Sequence, residues 1–145
     1  MNYPQATWRL ILSPPARGAW NMAVDEAILE GVIAGTSQPT LRLYAWEPPC
    51  LSLGYAQPVA DVDFPALQAY GWDLVRRPTG GRAILHTDEL TYAVIGPQSD
   101  PRLTGSVLES YQNLAQALLL ALQKLGCDPQ AESDPLAAPG SDPKG

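Results

Sequence analysis

The chain has 145 residues, enough for one domain, and its 46% apolar content is enough for a sizeable core. The formal charge of −6 argues against a broad nucleic-acid-binding surface. No apolar run of about 18 residues suggests a membrane span, no basic patch leads into an apolar run at the start, and Cys50 and Cys127 make no disulfide framework, so a cytoplasmic, reduced protein is expected.

In chain order, Trp8 to Leu12 reads as a short strand closed by Ser13-Pro14-Pro15. Asn21 has the side chain to cap a helix from Met22 to Ile33, and Gly35 ends it. On that helix Val24, Ile28 and Val32 recur every four residues, so one face is apolar. Leu41 to Tyr44 is strand-like, Trp46 to Pro49 is a turn, and Cys50 to Tyr55 is a second short strand. Within it, Gly54 hints at close backbone approach. Asp63 starts a short helix to Tyr70 with Pro65 in its first turn, and Gly71 stops it. Trp72 to Arg77 and Thr91 to Ile95 are further strands. Ser106 and Glu109 match a capping box for a helix running to Leu125. There Leu108, Tyr111, Ala115, Leu118, Leu122 and Leu125 form an apolar stripe expected to be core. Beyond Gly126, residues 127–145 are rich in proline and acidic residues, so a disordered tail or a surface loop is expected.

The most informative stretch is Val75 to His86. A strand leads into Arg76-Arg77-Pro78-Thr79-Gly80-Gly81-Arg82 and on to the only histidine. Two successive glycines let backbone N–H groups wrap an anionic or carbonyl-bearing ligand, and flanking arginines add fixed positive charge. Side chains alternate along a strand, so Arg76 and Arg77 are expected on opposite faces, with at most one turned to the ligand and the other bracing the loop. The acidic chain around them suits a small anionic ligand better than a polyphosphate.

Three stretches carry a resemblance: Asn21-Met22-Ala23-Val24-Asp25-Glu26, the block Leu41 to Gln57, and Arg76 to His86. Together, and in this order, they resemble the lipoate–protein ligase and octanoyltransferase group of the biotin/lipoate ligase superfamily, and they span most of residues 8 to 125. The resemblance implies an α/β (α+β) fold, a mixed and largely antiparallel sheet flanked by helices. Residues 1–126 would then be the N-terminal part of the catalytic domain. ATP-dependent ligases usually continue the glycine pair with a third glycine and follow the histidine with Asp-x-Gly-Asn-Leu-Asn. Here Arg82 occupies the third position and Thr87-Asp88-Glu89-Leu90-Thr91-Tyr92 follows His86. That version resembles the octanoyl-carrier-protein:protein octanoyltransferases that modify the glycine-cleavage H protein.

The resemblance implies that a cysteine takes an acyl group from acyl carrier protein and passes it to a lysine of a lipoyl-accepting domain. It also implies substrate-binding roles for Tyr55, Gln57, Arg76, Arg77, Thr79, Gly80, Gly81, Arg82 and His86. Arg82 would contact carrier-borne pantetheine or shape the acyl tunnel, and His86 would orient the loop or meet the acyl carbonyl. Trp46 and Tyr55 would either line an acyl pocket or simply pack. No cofactor is implied for the transferase; ATP and Mg²⁺ are implied for the ligase alternative, and a non-catalytic acyl- or carrier-binding remnant is a third reading. The family's nucleophilic cysteine and activating lysine belong to segments expected beyond Gly145, so none of the catalytic residues is carried here. Cys50 reads as a small buried residue, Asp25 and Glu26 as a polar helix face and loop brace, and neither Cys127 nor Lys144 matches the catalytic motifs. The chain is therefore expected to be a fragment, or half of an enzyme completed by a second polypeptide, with a large exposed apolar patch.

Overall fold

A computed structural model describes residues 3–130; most of the predicted Pro-rich tail, from 131 onward, lies outside the described residues. The described residues fall in two compact units, the first ending at Pro97 and the second starting at Gln98. The first unit carries β1 (Arg9–Leu12), α1 (Gly18–Ile33), β2 (Thr40–Tyr44), β3 (Cys50–Leu53), a 3-10 turn (Val59–Asp61), α2 (Phe64–Tyr70), β4 (Asp73–Arg76), β5 (Ile84–His86) and β6 (Thr91–Ile95). The second carries α3 (Val107–Lys124).

The strands form two three-stranded sheets, β1-β2-β6 and β4-β3-β5. Each is mixed: β1–β2 and β3–β4 are parallel, β2–β6 and β3–β5 antiparallel. The expected mixed sheet with helices is therefore present, with parallel and antiparallel pairs in equal share. In the second sheet Cys50 faces His86 across the β3–β5 pair and Ser52 faces Ile84. With a side-chain period of two, Cys50 and Ser52 share one face of β3.

Local chemistry explains the helix ends where the sequence named them well. Asp63 Oδ1 accepts from the Ala66 N–H at 3.0 Å, Pro65 sits in the first turn, and Gly71 turns the chain at φ 68°. Ser106 and Glu109 complete the capping box at 2.7 and 3.2 Å, and these bonds hold the Glu109 carboxyl below its ordinary range.

Helix α1 departs from expectation. It begins a turn earlier, at Gly18, and Asn21 lies within it, fully buried, rather than at its N-cap. The Asn21 side chain donates instead to the carbonyls of Ala16 and Ala45, at 3.2 and 3.0 Å. The oxygen that would have capped the helix, Asn21 Oδ1, accepts instead from Arg42 Nη2 at 2.8 Å. The start of α1 is held from outside: Arg17 donates to both Asp73 oxygens, at 2.7 and 3.1 Å, which holds the Asp73 carboxyl below its usual range.

The core of the first unit gathers Met22, Tyr44, Trp46 and Cys50, with Val75 and Ala93 packed against it. Through it runs a buried charge. Arg42, fully enclosed, donates to Asp25 Oδ1 at 2.7 Å, to Asn21 Oδ1 at 2.8 Å, to the Asn21 carbonyl at 2.9 Å and to Ser13 Oγ at 3.1 Å, and lies 4.0 Å over the Tyr44 ring. Tyr44 donates its hydroxyl to the other Asp25 oxygen at 3.1 Å, and burial together with Asp25 pushes that phenol upward. Asp25 is thus a brace, as its place on the helix suggested.

The α3 stripe corrects an expectation. No residue of α3 is buried, and Leu108, Tyr111, Leu118, Leu122 and Leu125 are exposed, so the stripe is not core. A periodic apolar face specifies a helix but needs a second layer to become interior. Leu10, Leu12, Leu29 and Ile33 of the first unit are exposed as well, in keeping with the expected uncovered apolar surface. Among the described residues no helix is long and apolar enough to cross a membrane.

Candidate functional site

The glycine loop is built by its two arginines. Arg77 Nη2 donates to the carbonyls of Gly80 and Arg82 at 2.8 and 2.7 Å; its Nη1 donates to the carbonyl and hydroxyl oxygens of Ser52 at 3.0 and 3.1 Å. Arg76 Nη1 takes the carbonyls of Gly54, Tyr55 and Gln57, at 2.7, 2.9 and 2.8 Å. The two side chains take different partners, Arg76 the 54–57 segment and Arg77 the glycine loop with Ser52. Both guanidiniums hold backbone carbonyls, and Arg77 holds the Ser52 hydroxyl as well, so each braces the loop.

The consequence is a polarised loop. Its carbonyls turn inward, with that of Thr79 accepting from the Tyr55 N–H at 2.9 Å. No described residue accepts from the N–H groups of Gly80, Gly81 or Arg82, all exposed. Outward amides of this kind suit a carbonyl oxygen or an anion. Only one of the two glycines needs its freedom: Gly81 sits at φ 93°, whereas Gly80 has no positive φ and nothing near its missing Cβ. Gly54 has the close approach foreseen for it, because a Cβ there would collide with the Gly81 carbonyl.

Beside the loop lies a cavity of about 540 Å³. That volume is in the range of small-molecule sites, roughly 300–1,000 Å³. Met22, Leu29, Tyr44, Trp46, Ile84 and Tyr92 supply much of its wall, with Asp25, Arg77, Thr79, His86 and Thr91 among its polar lining. Of the residues named from sequence, Arg77, Thr79 and His86 therefore line it. Arg76, Gly80, Gly81, Arg82, Tyr55 and Gln57 do not. Tyr55 is 69% exposed and neither lines the cavity nor packs in the core, whereas Trp46 does both. Arg82 is exposed, its guanidinium has no partner among the described residues, and it does not shape the cavity. The Gln57 Oε1 is enclosed and accepts no hydrogen bond from a described residue.

His86 is buried and stacked on Trp46, with ring centroids 4.1 Å apart. Its Nε2 lies 2.8 Å from Ser52 Oγ and its Nδ1 lies 2.6 Å from Glu89 Oε1. The Thr91 hydroxyl donates to the same Glu89 oxygen at 2.7 Å and accepts from Trp46 Nε1 at 2.7 Å. These bonds hold the Glu89 carboxyl below its ordinary value against the opposing pull of desolvation. Ser52, His86 and Glu89 have the contacts of a nucleophile, base and orienting acid. Accessibility decides against that role, since Ser52 is 0% exposed and an attacking oxygen must be reached by its substrate. Sequence reading missed Ser52, Glu89 and Thr91. The signals present were Ser52 two positions after the buried Cys50 and Glu89 three after the only histidine.

Cys50 is fully buried, as expected, and burial, helped by Asp73, pushes its thiol up to about 12. The stability this contributes is full below the ordinary value near 9 and is lost as pH rises toward 12. Exposed Cys127 is a built-in control. At pH 8 iodoacetamide should label Cys127 at least about a hundredfold faster than Cys50, because the thiolate is the reacting form. Comparable rates followed by mass spectrometry would contradict the inert assignment.

Residues 17–138 match the model of the lipoyl protein ligase A/B catalytic domain. The chain belongs to this family. It is 49% identical over 142 residues to an octanoyltransferase, LipM, of Kyrpidia tusciae, a match covering 93% of this chain and 52% of that one. Among solved structures it is similar to a lipoate-protein ligase A bound with ATP, at TM-score 0.75 and 27% identity over 89% of this chain and 52% of that one. It is equally similar, at TM-score 0.75 and 26% identity, to a bi-partite lipoate protein ligase of Thermoplasma acidophilum studied with its E2 lipoyl domain, covering 89% and 49%. The chain spans about half the length of the curated relatives it matches.

Proposed function

We propose that this chain provides the acyl-binding part of an octanoyltransferase of protein lipoylation. The octanoyl group would arrive as a thioester on acyl carrier protein and leave as an amide on a lysine of a lipoyl-accepting domain. The observation that carries the reading is the cavity: a largely apolar lining whose polar part, with Thr79 and His86, adjoins a glycine loop whose N–H groups have no acceptor among the described residues. The thioester carbonyl would sit at that polar part, where N–H groups stabilise the oxyanion formed on attack. Substrate-binding roles go to Arg77, Thr79, Gly80, Gly81 and His86, with Arg82 reaching the carrier's pantetheine from the rim. Arg76, Tyr55 and Gln57 act by shaping the 54–57 segment that the Arg76 guanidinium gathers.

The nucleophilic cysteine and its activating lysine would come from sequence not contained in this chain, joined to it or supplied by a second polypeptide. The reaction needs no cofactor in this form. A ligase using ATP and Mg²⁺ is the second reading, favoured by the likeness to an ATP-bound ligase. Fusing residues 1–126 to the second half of the Kyrpidia tusciae relative separates the two. Octanoyl transfer from the carrier to a lipoyl domain without ATP is expected, with none from the 145-residue chain alone. Strict ATP dependence would move the assignment to the ligase, and turnover by the chain alone would refute the missing nucleophile. In the same fusion Arg82→Gly should raise the KM for the acyl carrier several-fold with a smaller effect on kcat, since rim charges act mainly on encounter.

A further inference from the structure

The hydrogen-bond inventory around His86 is directional, and it ends on the glycine loop. A guanidinium only donates, so Ser52 Oγ accepts from Arg77 Nη1 at 3.1 Å. Glu89 already accepts from Thr91, and as a carboxylate it only accepts, so His86 Nδ1 carries the proton shared with it at 2.6 Å. That leaves His86 Nε2 as a lone pair and the Ser52 hydroxyl hydrogen as its donor, at 2.8 Å. The alternative, a proton on Nε2, would give Ser52 Oγ two donors and leave its own hydrogen without an acceptor in a site with no solvent exposure. Buried donors are seldom left so. The other end of the Arg77 guanidinium holds the Gly80 and Arg82 carbonyls.

We propose that Glu89 is a positioning residue: by fixing His86 as the Nδ1–H tautomer it orients Ser52, which registers Arg77 and so sets the outward-amide geometry of the Gly80–Arg82 loop. Glu89 sits outside the loop's own contacts and is part-exposed, its side chain at 36% of full exposure, so its effect travels through buried His86 and Ser52. Trp46 closes the arrangement by stacking on His86 and donating to Thr91. The importance of this relay for acyl transfer rests on the reading that the loop faces the acyl carbonyl. Its test reads the loop itself and stands or falls separately from any transferase assay.

His86 is the only histidine, so a ¹⁵N-histidine-labelled 145-residue chain gives one imidazole to observe by NMR. The wild-type protein should show the Nδ1–H tautomer. Glu89→Ala, a change at an exposed position, removes the acceptor of the Nδ1 proton and should raise the population of the Nε2–H form favoured by free imidazole against the opposing pull of the Ser52 hydroxyl. Exposed Arg82 reports the loop through trypsin cleavage of the Arg82–Ala83 bond under native conditions. Cleavage should quicken about fivefold to tenfold in Glu89→Ala, the expected effect of one weakened hydrogen-bond link. Ser52→Ala should quicken cleavage similarly while leaving the tautomer Nδ1–H. The double variant should be no faster than Ser52→Ala, because both act on one chain of bonds. A tautomer population unchanged in Glu89→Ala, an unchanged cleavage rate in that variant, or effects that multiply in the double variant would each overturn the relay. The two readouts on Glu89→Ala suffice should Ser52→Ala fold poorly.

Discussion

Arg42→Ala should destabilise the 145-residue chain by about 3–5 kcal/mol, the range for removing one partner of a buried ion pair. Arg42 has no exposed surface, and its loss removes the countercharge of the Asp25 carboxylate, which keeps only the Tyr44 hydroxyl, together with the donor to Asn21 Oδ1 and to the Ser13 hydroxyl. Whole domains are stable by only about 5–15 kcal/mol, so the change removes a large part of the margin. With a urea m-value near the middle of the usual ~1–3 kcal/mol/M, the unfolding midpoint should fall by roughly 2 M. The cause is separable from packing. Arg42→Met alone keeps most of the volume and should remain strongly destabilising, whereas adding Asp25→Leu should recover part of the loss by removing the stranded charge. An Arg42→Met midpoint equal to wild type would show that the pair carries no structural weight.

The second large effect is expected at Gly54. An alanine Cβ there would occupy the space of the Gly81 carbonyl, and the obstacle is backbone rather than a movable side chain tip. Neither segment is free to yield. Gly54 is held through its carbonyl by Arg76 and by the Gln57 N–H, and the loop opposite is held by Arg77. Gly54→Ala should therefore cost roughly 1–3 kcal/mol by overpacking. It should also displace the loop amides from the acyl carbonyl. Misplacement of about 1 Å is enough to lower a rate about a hundredfold, so octanoyl transfer by the fusion enzyme should fall on that scale. Gly80→Ala is the control: it meets nothing within 4 Å and needs no positive φ. Its stability and loop cleavage by trypsin should stay near wild type. Equal behaviour of the two variants would remove the close approach as the reason for a glycine at 54.

How much was legible beforehand depended on the range of the interaction that decides each feature. Asp63, Pro65 and Gly71 announce α2 because capping and turn chemistry act within a few residues. Ser106 and Glu109 announce α3 for the same reason. Asn21 misled because its side-chain oxygen, the atom that would cap, accepts from Arg42, 21 residues away. Strand β5 went unnoticed because Ile84 to His86 is too short for a periodic signal and is defined by pairing with β3.

The site divides in the same way. Glycines, arginines and the single histidine of residues 75–86 marked a ligand-facing loop, and with the two upstream blocks they pointed to the family that the match over residues 17–138 establishes. Those are properties of residue type and order along one chain. The tertiary structure alone decided that the Arg76 and Arg77 guanidiniums donate to the chain's own oxygens, that Trp46 rather than Tyr55 lines the cavity, and that Ser52 and Glu89 bracket His86. Each of these is a competition among donors and acceptors, or for a place in the core, between segments distant in sequence. The winner is set by distance and burial, which exist only once β3, β4, β5 and β6 have been brought together.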